Sequence, residues 1–321
     1  MRIALTTTSY QDNPGKHHEL LESTGYEIVR RRGPVSEEDM LELVTSDGGF
    51  DGLLHGDDYI TRKVIEAALP RLRVLSKFGI GLDSVDLKAA SDLKVPVLFT
   101  PGVNHTTVAE HTMGMMIMAA KHLANQVNTV EQGQWKRVTG RDLAGKTLGI
   151  LGLGRIGKEV AKRAIAFEMK VIAFDLYWDE QFADAHNVTR CDTAEDVLRQ
   201  ADVVSLNMNL TDENRHLINA ERLSTMKDGA IVINCSRGGL VHEEDVVAAC
   251  KSGKLTAYAA DVLEVEPIRT PHPFQGVDNI IVTPHIASRT FEAVERQAMR
   301  ATLNLINFLE GKDDYIQANK F

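Results

Sequence analysis

Three segments of this chain each place a chemically useful side chain directly after an apolar run of strand length. They are Asn234-Cys235-Ser236-Arg237-Gly238-Gly239, Asp261-Val262-Leu263-Glu264-Val265-Glu266-Pro267 and Thr283-Pro284-His285-Ile286-Ala287-Ser288. Open parallel sheets bind ligands in the crevice outside the carboxyl ends of their strands, so Arg237, Glu266 and His285 are candidates for one site. Their chemistries are complementary. A guanidinium grips a carboxylate through two parallel hydrogen bonds, and an imidazolium hands a proton to a carbonyl oxygen. A neighbouring carboxylate stabilises that imidazolium and raises its pKa. The set is complete for reduction of a ketone, with neutral His285 as the base in the reverse direction. Each residue alone has a plainer reading, as a surface ion pair, a solvated loop acid or a hydrogen-bonded strand-end histidine. Convergence on one sheet edge favours the shared site.

A further segment, Gly152-Leu153-Gly154-Arg155-Ile156-Gly157, follows the apolar run Leu148-Gly149-Ile150-Leu151 and precedes a helical pattern. The first glycine permits a tight turn, the second lets backbone approach a pyrophosphate, and the third allows close helix packing. The helix N-terminus adds amides and a positive dipole end. Asp175 closes the next apolar run, roughly 20 residues on, where a carboxylate accepts hydrogen bonds from an adenosine ribose and repels a 2′-phosphate. No Arg or Lys occupies Leu176, Tyr177 or Trp178, so the expected cofactor is NAD rather than NADP.

The elements that must position these groups alternate strand-length apolar runs with helical periodicity, which predicts an α/β class with helices on both faces of parallel sheets. Strands are expected at residues 3–6, 25–30, 52–55, 74–77 and 95–99, then at 147–151, 171–175, 202–206, 230–234, 256–261 and 280–283. The second series of six makes a complete doubly wound dinucleotide-binding sheet. A long Ala/Met-rich helix is expected over 107–125, connecting chain over 133–145, and a closing helix over 291–310 that returns to the first domain. The domain boundaries so predicted are 1–100, 101–286 and 287–321.

At 321 residues the chain exceeds one ordinary core, and its 43% hydrophobic and 25% charged residues are those of a globular protein. A net charge of -9 disfavours binding to nucleic acid or anionic membrane, so a small anionic substrate needs a local positive site. Cys191, Cys235 and Cys250 form no CxxC pair, which gives no disulfide framework or thiolate zinc site and fits a reducing cytoplasm. The N-terminal residues lack a signal-peptide pattern, and the greasy stretch 113–120 is too short to span a bilayer. Met113, Met115, Met116 and Met118 read as core or subunit-interface packing. His17 and His18 read as exposed helix residues without metal-ligand company, and no metal is expected.

With these residues in view, the chain resembles the D-isomer-specific 2-hydroxyacid dehydrogenase family, and within it the short phosphoglycerate dehydrogenase branch. The likeness runs over residues 53–307 through KFGIGLDSVD, TPGVNHTTVAEHT, GKTLGILGLGRIGKEVAKR, NCSRGGLV, AADVLEVEP and TPHIA. The resemblance implies a catalytic triad of Arg237, Glu266 and His285. It implies a substrate loop at 78–82, with the backbone of Gly79, Ile80 and Gly81 near the substrate carboxylate, Asn104 close by, and His55 and Lys77 as further substrate contacts. Cofactor contacts carry over to Gly152, Gly154, Arg155, Ile156, Gly157, Asp175, Asn207, Cys235, Ser236, Arg237 and Asp261, the last holding the nicotinamide carboxamide. The implied fold is a doubly wound dinucleotide-binding domain inserted into a smaller flavodoxin-like substrate domain, in a homodimer formed partly through the helix after Thr107.

Departures from the family pattern narrow the expectation. Asn209 stands where proline is usual and Ala287 where glycine is common. His55 and Lys77 occupy positions where phosphoglycerate enzymes often carry arginine, which weakens the expected grip on a substrate phosphate. Glu266 replaces the glutamine of the formate branch, disfavouring formate oxidation. The expected function is NAD-dependent hydride transfer at C2 of a small D-2-hydroxy acid, 3-phosphoglycerate-like. The alternatives are reduction of glyoxylate or hydroxypyruvate, or an NAD-sensing binding module like the family's corepressors.

Overall fold

Apolar runs buried on both faces are the usual sequence form of parallel strands. The computed structural model describes residues 1–321 and turns these runs into two parallel sheets. The first contains β1 (Arg2–Leu5), β2 (Glu27–Arg30), β3 (Gly52–His55), β4 (Val74–Lys77) and β5 (Val97–Leu98), in the order β2-β1-β3-β4-β5. The second contains β6 (Thr147–Leu151), β7 (Lys170–Phe174), β8 (Thr189–Arg190), β9 (Val203–Leu206), β10 (Ala230–Asn234), β11 (Leu255–Ala260) and β12 (Ile280–Val282). Its order is β12-β11-β10-β9-β6-β7-β8. The class is α/β: the first order is the flavodoxin-like one and the second the doubly wound dinucleotide-binding one with an added edge strand.

Contacts divide the chain into two compact units, 1–104 with 289–321, and 105–288. In the first, Ile3, Leu5, Leu54, Val74 and Leu98 of the sheet pack with Ala298, Leu305 and Leu309 of the helix Phe291–Leu309. Burying each such leucine or isoleucine contributes about 1.5–3 kcal/mol. Thr290 caps this helix by accepting from the Ala293 amide, and Ser76 Oγ donates to the Ala301 carbonyl at 2.8 Å. The closing helix is therefore core to the sheet built from the N-terminal residues.

In the second unit, Leu148, Ile150, Val171, Ile231 and Ile233 pack with Met113, Met115, Met116 and Ala119 of the helix His105–Lys121. Val204, Leu206, Val232 and Tyr258 belong to a separate cluster that includes Val197, Leu223 and Val246. Met113, Met115 and Met116 are thus core residues, and Met118 is half-buried.

Several details differ from the sequence reading. The helix expected over 107–125 is two, His105–Lys121 and Leu123–Glu131, because His122 adopts a left-handed φ of +53°. The second sheet has a seventh strand, the two-residue β8, whose exposed Thr-Arg carries no apolar signal. His17 is fully buried rather than exposed: its Nε2 lies 3.1 Å from the Tyr10 carbonyl and its ring packs edge-on against Tyr10. No helix is long and apolar enough to cross a membrane.

Candidate active site

The turn 152–157 links β6 to the helix Arg155–Ala166, and its glycines meet distinct steric demands. Gly152 has φ +96°, and a Cβ there would lie 2.5 Å from the Asn207 carbonyl oxygen. A Cβ on Gly157 would lie 2.1 Å from the Gly152 carbonyl oxygen, so helix and strand approach as closely as glycine allows. Gly154 faces open space, with nothing within 4 Å of the Cβ position, and no side chain caps the helix start. Uncapped amides beside open space are what a pyrophosphate requires.

Asp175 follows β7 and braces this turn. Its Oδ2 accepts from the Leu153 amide at 2.6 Å and its Oδ1 from the Tyr177 amide at 2.7 Å. A carboxylate has about four acceptor positions, so capacity for a ribose hydroxyl remains. Leu176 and Tyr177 beside it are exposed and uncharged. Arg155 is exposed and Ile156 half-buried against the core. Asn207 sits across from Gly152, its side chain donating to Ser205. Burial pushes the Cys235 thiol up to about 12, leaving it a neutral contact and not a nucleophile. These residues fit a dinucleotide.

The triad residues stand on the loops after β10, β11 and β12. Asn234 organises the first loop: its amide donates to the Arg237 carbonyl, while its oxygen accepts from the amide and hydroxyl of Ser236. The Arg237 guanidinium donates to the Ser236 carbonyl at 2.7 Å. Gly238 then presses on the second loop, where a Cβ would fall 1.9 Å from the Leu263 carbonyl carbon, so only glycine fits. In that loop Glu266 Oε1 accepts from the Leu263 amide at 2.8 Å, and its Oε2 accepts from His285 Nδ1 at 2.7 Å. Both partners are partly solvated, His285 at 46% and Glu266 at 35% side-chain exposure.

His285 has φ +54°, a conformation costly for a residue with a Cβ and retained only where surroundings enforce it. Asp261 enforces it. Its main-chain oxygen accepts from the His285 amide at 2.9 Å, its Oδ1 from the Thr283 hydroxyl at 2.5 Å and the Ile286 amide at 2.9 Å, and its Oδ2 from the Ala287 amide at 2.7 Å. Asp261 is expected from the sequence as a cofactor contact. Here its carboxylate is 1% exposed and holds the loop that carries His285.

The expected substrate residues lie in the first unit. Gly79 takes φ +136° and exchanges hydrogen bonds with Thr100, with Ile80 and Gly81 half-buried beyond it. Asn104 is buried, and its Oδ1 has no partner. His55 and Lys77 face each other in register at the ends of β3 and β4, and both are buried. Neither meets the expectation of an open anion contact. The Lys77 ammonium donates to the Gly56 carbonyl at 2.5 Å and to Asp57 at 2.7 Å, and burial with Lys77 beside it holds the His55 pKa down to about 4. Asp58, fully buried there, accepts from the Thr6 hydroxyl and from the Val35 and Gly56 amides.

Two residues missed by the sequence reading join the site. His111 Nε2 lies 3.1 Å from Thr283 Oγ1 and 3.5 Å from Asp261 Oδ1. Thr283 opens the segment that carries His285, and His111 lies in the VAEHT string, but neither residue type signals the contact between them.

Comparison with known proteins agrees with this geometry. Residues 113–287 match the family model for the D-isomer specific 2-hydroxyacid dehydrogenase, NAD binding domain. D-3-phosphoglycerate dehydrogenase of Methanocaldococcus jannaschii is 38% identical over 85% of this chain, and the match spans 52% of that protein, about half its length. Glyoxylate reductase of Thermofilum pendens is also 38% identical, over 89% of this chain and 86% of that one. The crystal structure of the TT0316 protein from Thermus thermophilus superposes with a TM-score of 0.89 at 35% identity, covering 99% of this chain and 100% of that one. A family match over more than half the chain, and relatives at this identity over most of it, lead to one assignment: the chain belongs to the NAD-dependent D-isomer specific 2-hydroxyacid dehydrogenases.

Proposed function

We propose that this chain interconverts a small, unphosphorylated 2-oxo acid and its D-2-hydroxy acid, with His285 as the acid–base group. The 2.7 Å contact between His285 Nδ1 and Glu266 carries the reading. Glu266 holds Nδ1, so the proton exchanged with substrate travels on Nε2. In reduction, imidazolium His285 protonates the carbonyl oxygen as C2 receives hydride. In oxidation, neutral His285 removes the hydroxyl proton. Glu266 supports the charged ring in both directions, and Arg237 pairs with the substrate carboxylate. When bound, the nicotinamide supplies or accepts the hydride. The turn 152–157 receives the pyrophosphate and Asp175 the ribose.

The absence of substrate phosphate from this reading rests on Lys77. A phosphate grip needs accessible cations, and each charge-assisted bond contributes about 1.5–3 kcal/mol. The Lys77 ammonium is already engaged by Gly56 and Asp57, and His55 is neutral near pH 7. Glyoxylate and hydroxypyruvate are the unphosphorylated acids in the names of relatives 38% and 41% identical to this chain. Phosphoglycerate is the second reading, favoured by the 38% identity to the Methanocaldococcus jannaschii enzyme of that name. Homodimerisation belongs to the proposal as well: the helix Leu123–Glu131 buries none of its residues and exposes Leu123, Val127 and Val130.

Initial rates with NADH and NADPH against glyoxylate, hydroxypyruvate and 3-phosphohydroxypyruvate test the proposal. The expected result is NADH-linked reduction of the unphosphorylated acids, with the phosphate changing kcat/KM by no more than about tenfold. A preference of about a thousandfold for the phosphorylated acid refutes the substrate assignment. An unchanged turnover number for His285→Ala refutes the acid–base assignment.

A further inference from the structure

A threonine hydroxyl has one hydrogen to donate. Thr283 gives it to Asp261 Oδ1 at 2.5 Å, so the 3.1 Å contact between Thr283 Oγ1 and His111 Nε2 must run the other way, with His111 donating. That fixes the hydrogen on Nε2 of His111. The imidazole comes from the helix His105–Lys121, which packs on β10 and β11 within the same unit, and its side chain is only 21% exposed. The side chain of this helix residue thus starts a directed chain, His111 to Thr283 to Asp261. At its far end Asp261 holds the amides of Ile286 and Ala287 and, through its main-chain oxygen, the amide of His285.

We propose that His111 is a positioning residue for His285: by donating to Thr283 it orients that hydroxyl on Asp261 and locks segment 283–287 in the conformation that turns His285 toward Glu266. In this role His111 acts through the loop, by way of Thr283 and Asp261. The inference rests on the assignment of His285 as the acid–base group. A hydroxyl released from His111 can rotate to other acceptors, and the left-handed conformation at His285 then loses one of its restraints. A small misplacement of a proton donor slows the chemical step more than it weakens ground-state binding.

The test compares His111→Leu with His111→Gln, whose amide nitrogen reaches the place of Nε2, and Thr283→Val with Thr283→Ser. Measured for each are kcat and KM for the preferred 2-oxo acid, NADH affinity from fluorescence titration, and thermal midpoint. His111→Leu and Thr283→Val are expected to lower kcat by about tenfold or more with NADH affinity within about twofold of wild type. The glutamine and serine variants should recover most of the rate. The double variant His111→Leu/Thr283→Val should be no slower than the worse single one, because both break one chain. Full activity in His111→Leu overturns the proposal, as do equal losses in His111→Leu and His111→Gln or fully multiplicative losses in the double variant. If His111→Leu aggregates, the Thr283 pair decides: retained kcat in Thr283→Val overturns it equally. Should His285→Ala itself retain turnover, the acid–base reading fails first, which separates the two.

Discussion

Replacing Glu266 by glutamine changes charge and one acceptor while keeping size. The carboxylate meets two donors, the Leu263 amide at Oε1 and His285 Nδ1 at Oε2. Glutamine offers one oxygen and one NH2: with the oxygen on the Leu263 amide, its NH2 can meet a neutral His285 Nδ1 as acceptor but faces a second donor when the ring is protonated. The larger consequence is loss of the charge that favours imidazolium. An exposed ion pair contributes about 0.2–1 kcal/mol, and a hydrogen bond to a charged group about 1.5–3 kcal/mol. With side chains 46% and 35% exposed, this pair falls between those limits, at about 1–2 kcal/mol. At 1.36 kcal/mol per unit, the protonation midpoint of His285 should drop by about one pH unit.

The sign is the same in both directions of reaction. Reduction draws on the imidazolium and fails as pH rises through the midpoint, so its limb moves to lower pH. Oxidation needs the neutral ring and fails as pH falls, and that limb moves to lower pH too. Profiles of kcat/KM between about pH 5 and 8, taken with NADH and 2-oxo acid and again with NAD and hydroxy acid, measure both. A limb that stays in place, moves upward, or shifts in one direction of reaction only would refute electrostatic coupling between Glu266 and His285.

Other perturbations read separate parts of the molecule. Gly157→Ala puts a Cβ 2.1 Å from the Gly152 carbonyl oxygen and should weaken NADH binding by about tenfold or more, and an unchanged dissociation constant would show that the turn has room to spare. Asp175→Ala should narrow the preference for NADH over NADPH by about tenfold, seen by titrating both cofactors, and equal discrimination before and after would remove Asp175 from ribose recognition. His55 titrates near 4 when folded and near 6.5 when unfolded, so the unfolded chain binds more protons between those values. Stability should therefore fall as pH drops from 6.5 toward 4, and His55→Leu should flatten that slope in denaturant titrations. Pure D and L isomers of one accepted hydroxy acid should be distinguished in favour of D, and preference for L would contradict the family's stereochemistry.

Strands bounded by turn residues could be read to the residue, as at β3, β4, β6 and β10, where an apolar run ends at a glycine, proline or polar side chain. The run at 95–99 looks like a longer strand than β5 because its outer residues bond the C-terminal tail: Asn319 donates to the Val95 carbonyl, and the Phe99 amide donates to the Ile316 carbonyl. Those partners lie more than two hundred residues away, beyond any local pattern. In the site, the glycine turn, Asp175 and the triad carried their signal in spacing and residue type. His111 did not, because its hydrogen bond to Thr283 spans 172 positions and a histidine in an apolar helix reads as packing. The burial of His55 and Lys77 was illegible for a related reason. A polar residue at a strand end suggests access to ligand, and only the tertiary structure reveals a lysine buried on Gly56 and Asp57.

The distribution of burial across the site follows from what each group must do. In the proposed mechanism His285 exchanges the proton with substrate while Glu266 supports it, and both side chains remain partly solvated. The groups that hold them are buried: Asp261, Asn234 and Gly238 are all nearly inaccessible, and each meets backbone at close range. In a low-dielectric setting such bonds are stronger and an unmade one is costlier, so the loops have few alternative conformations. A strained φ at His285 is tolerable under those conditions because every amide from 285 to 287 has a designated acceptor on Asp261. Removing that carboxylate as Asp261→Ala would leave two of those amides without it. By this logic the variant should release His285 from its conformation and abolish turnover even if the fold survives, whereas Asp261→Asn, which keeps one acceptor oxygen, should retain part of it.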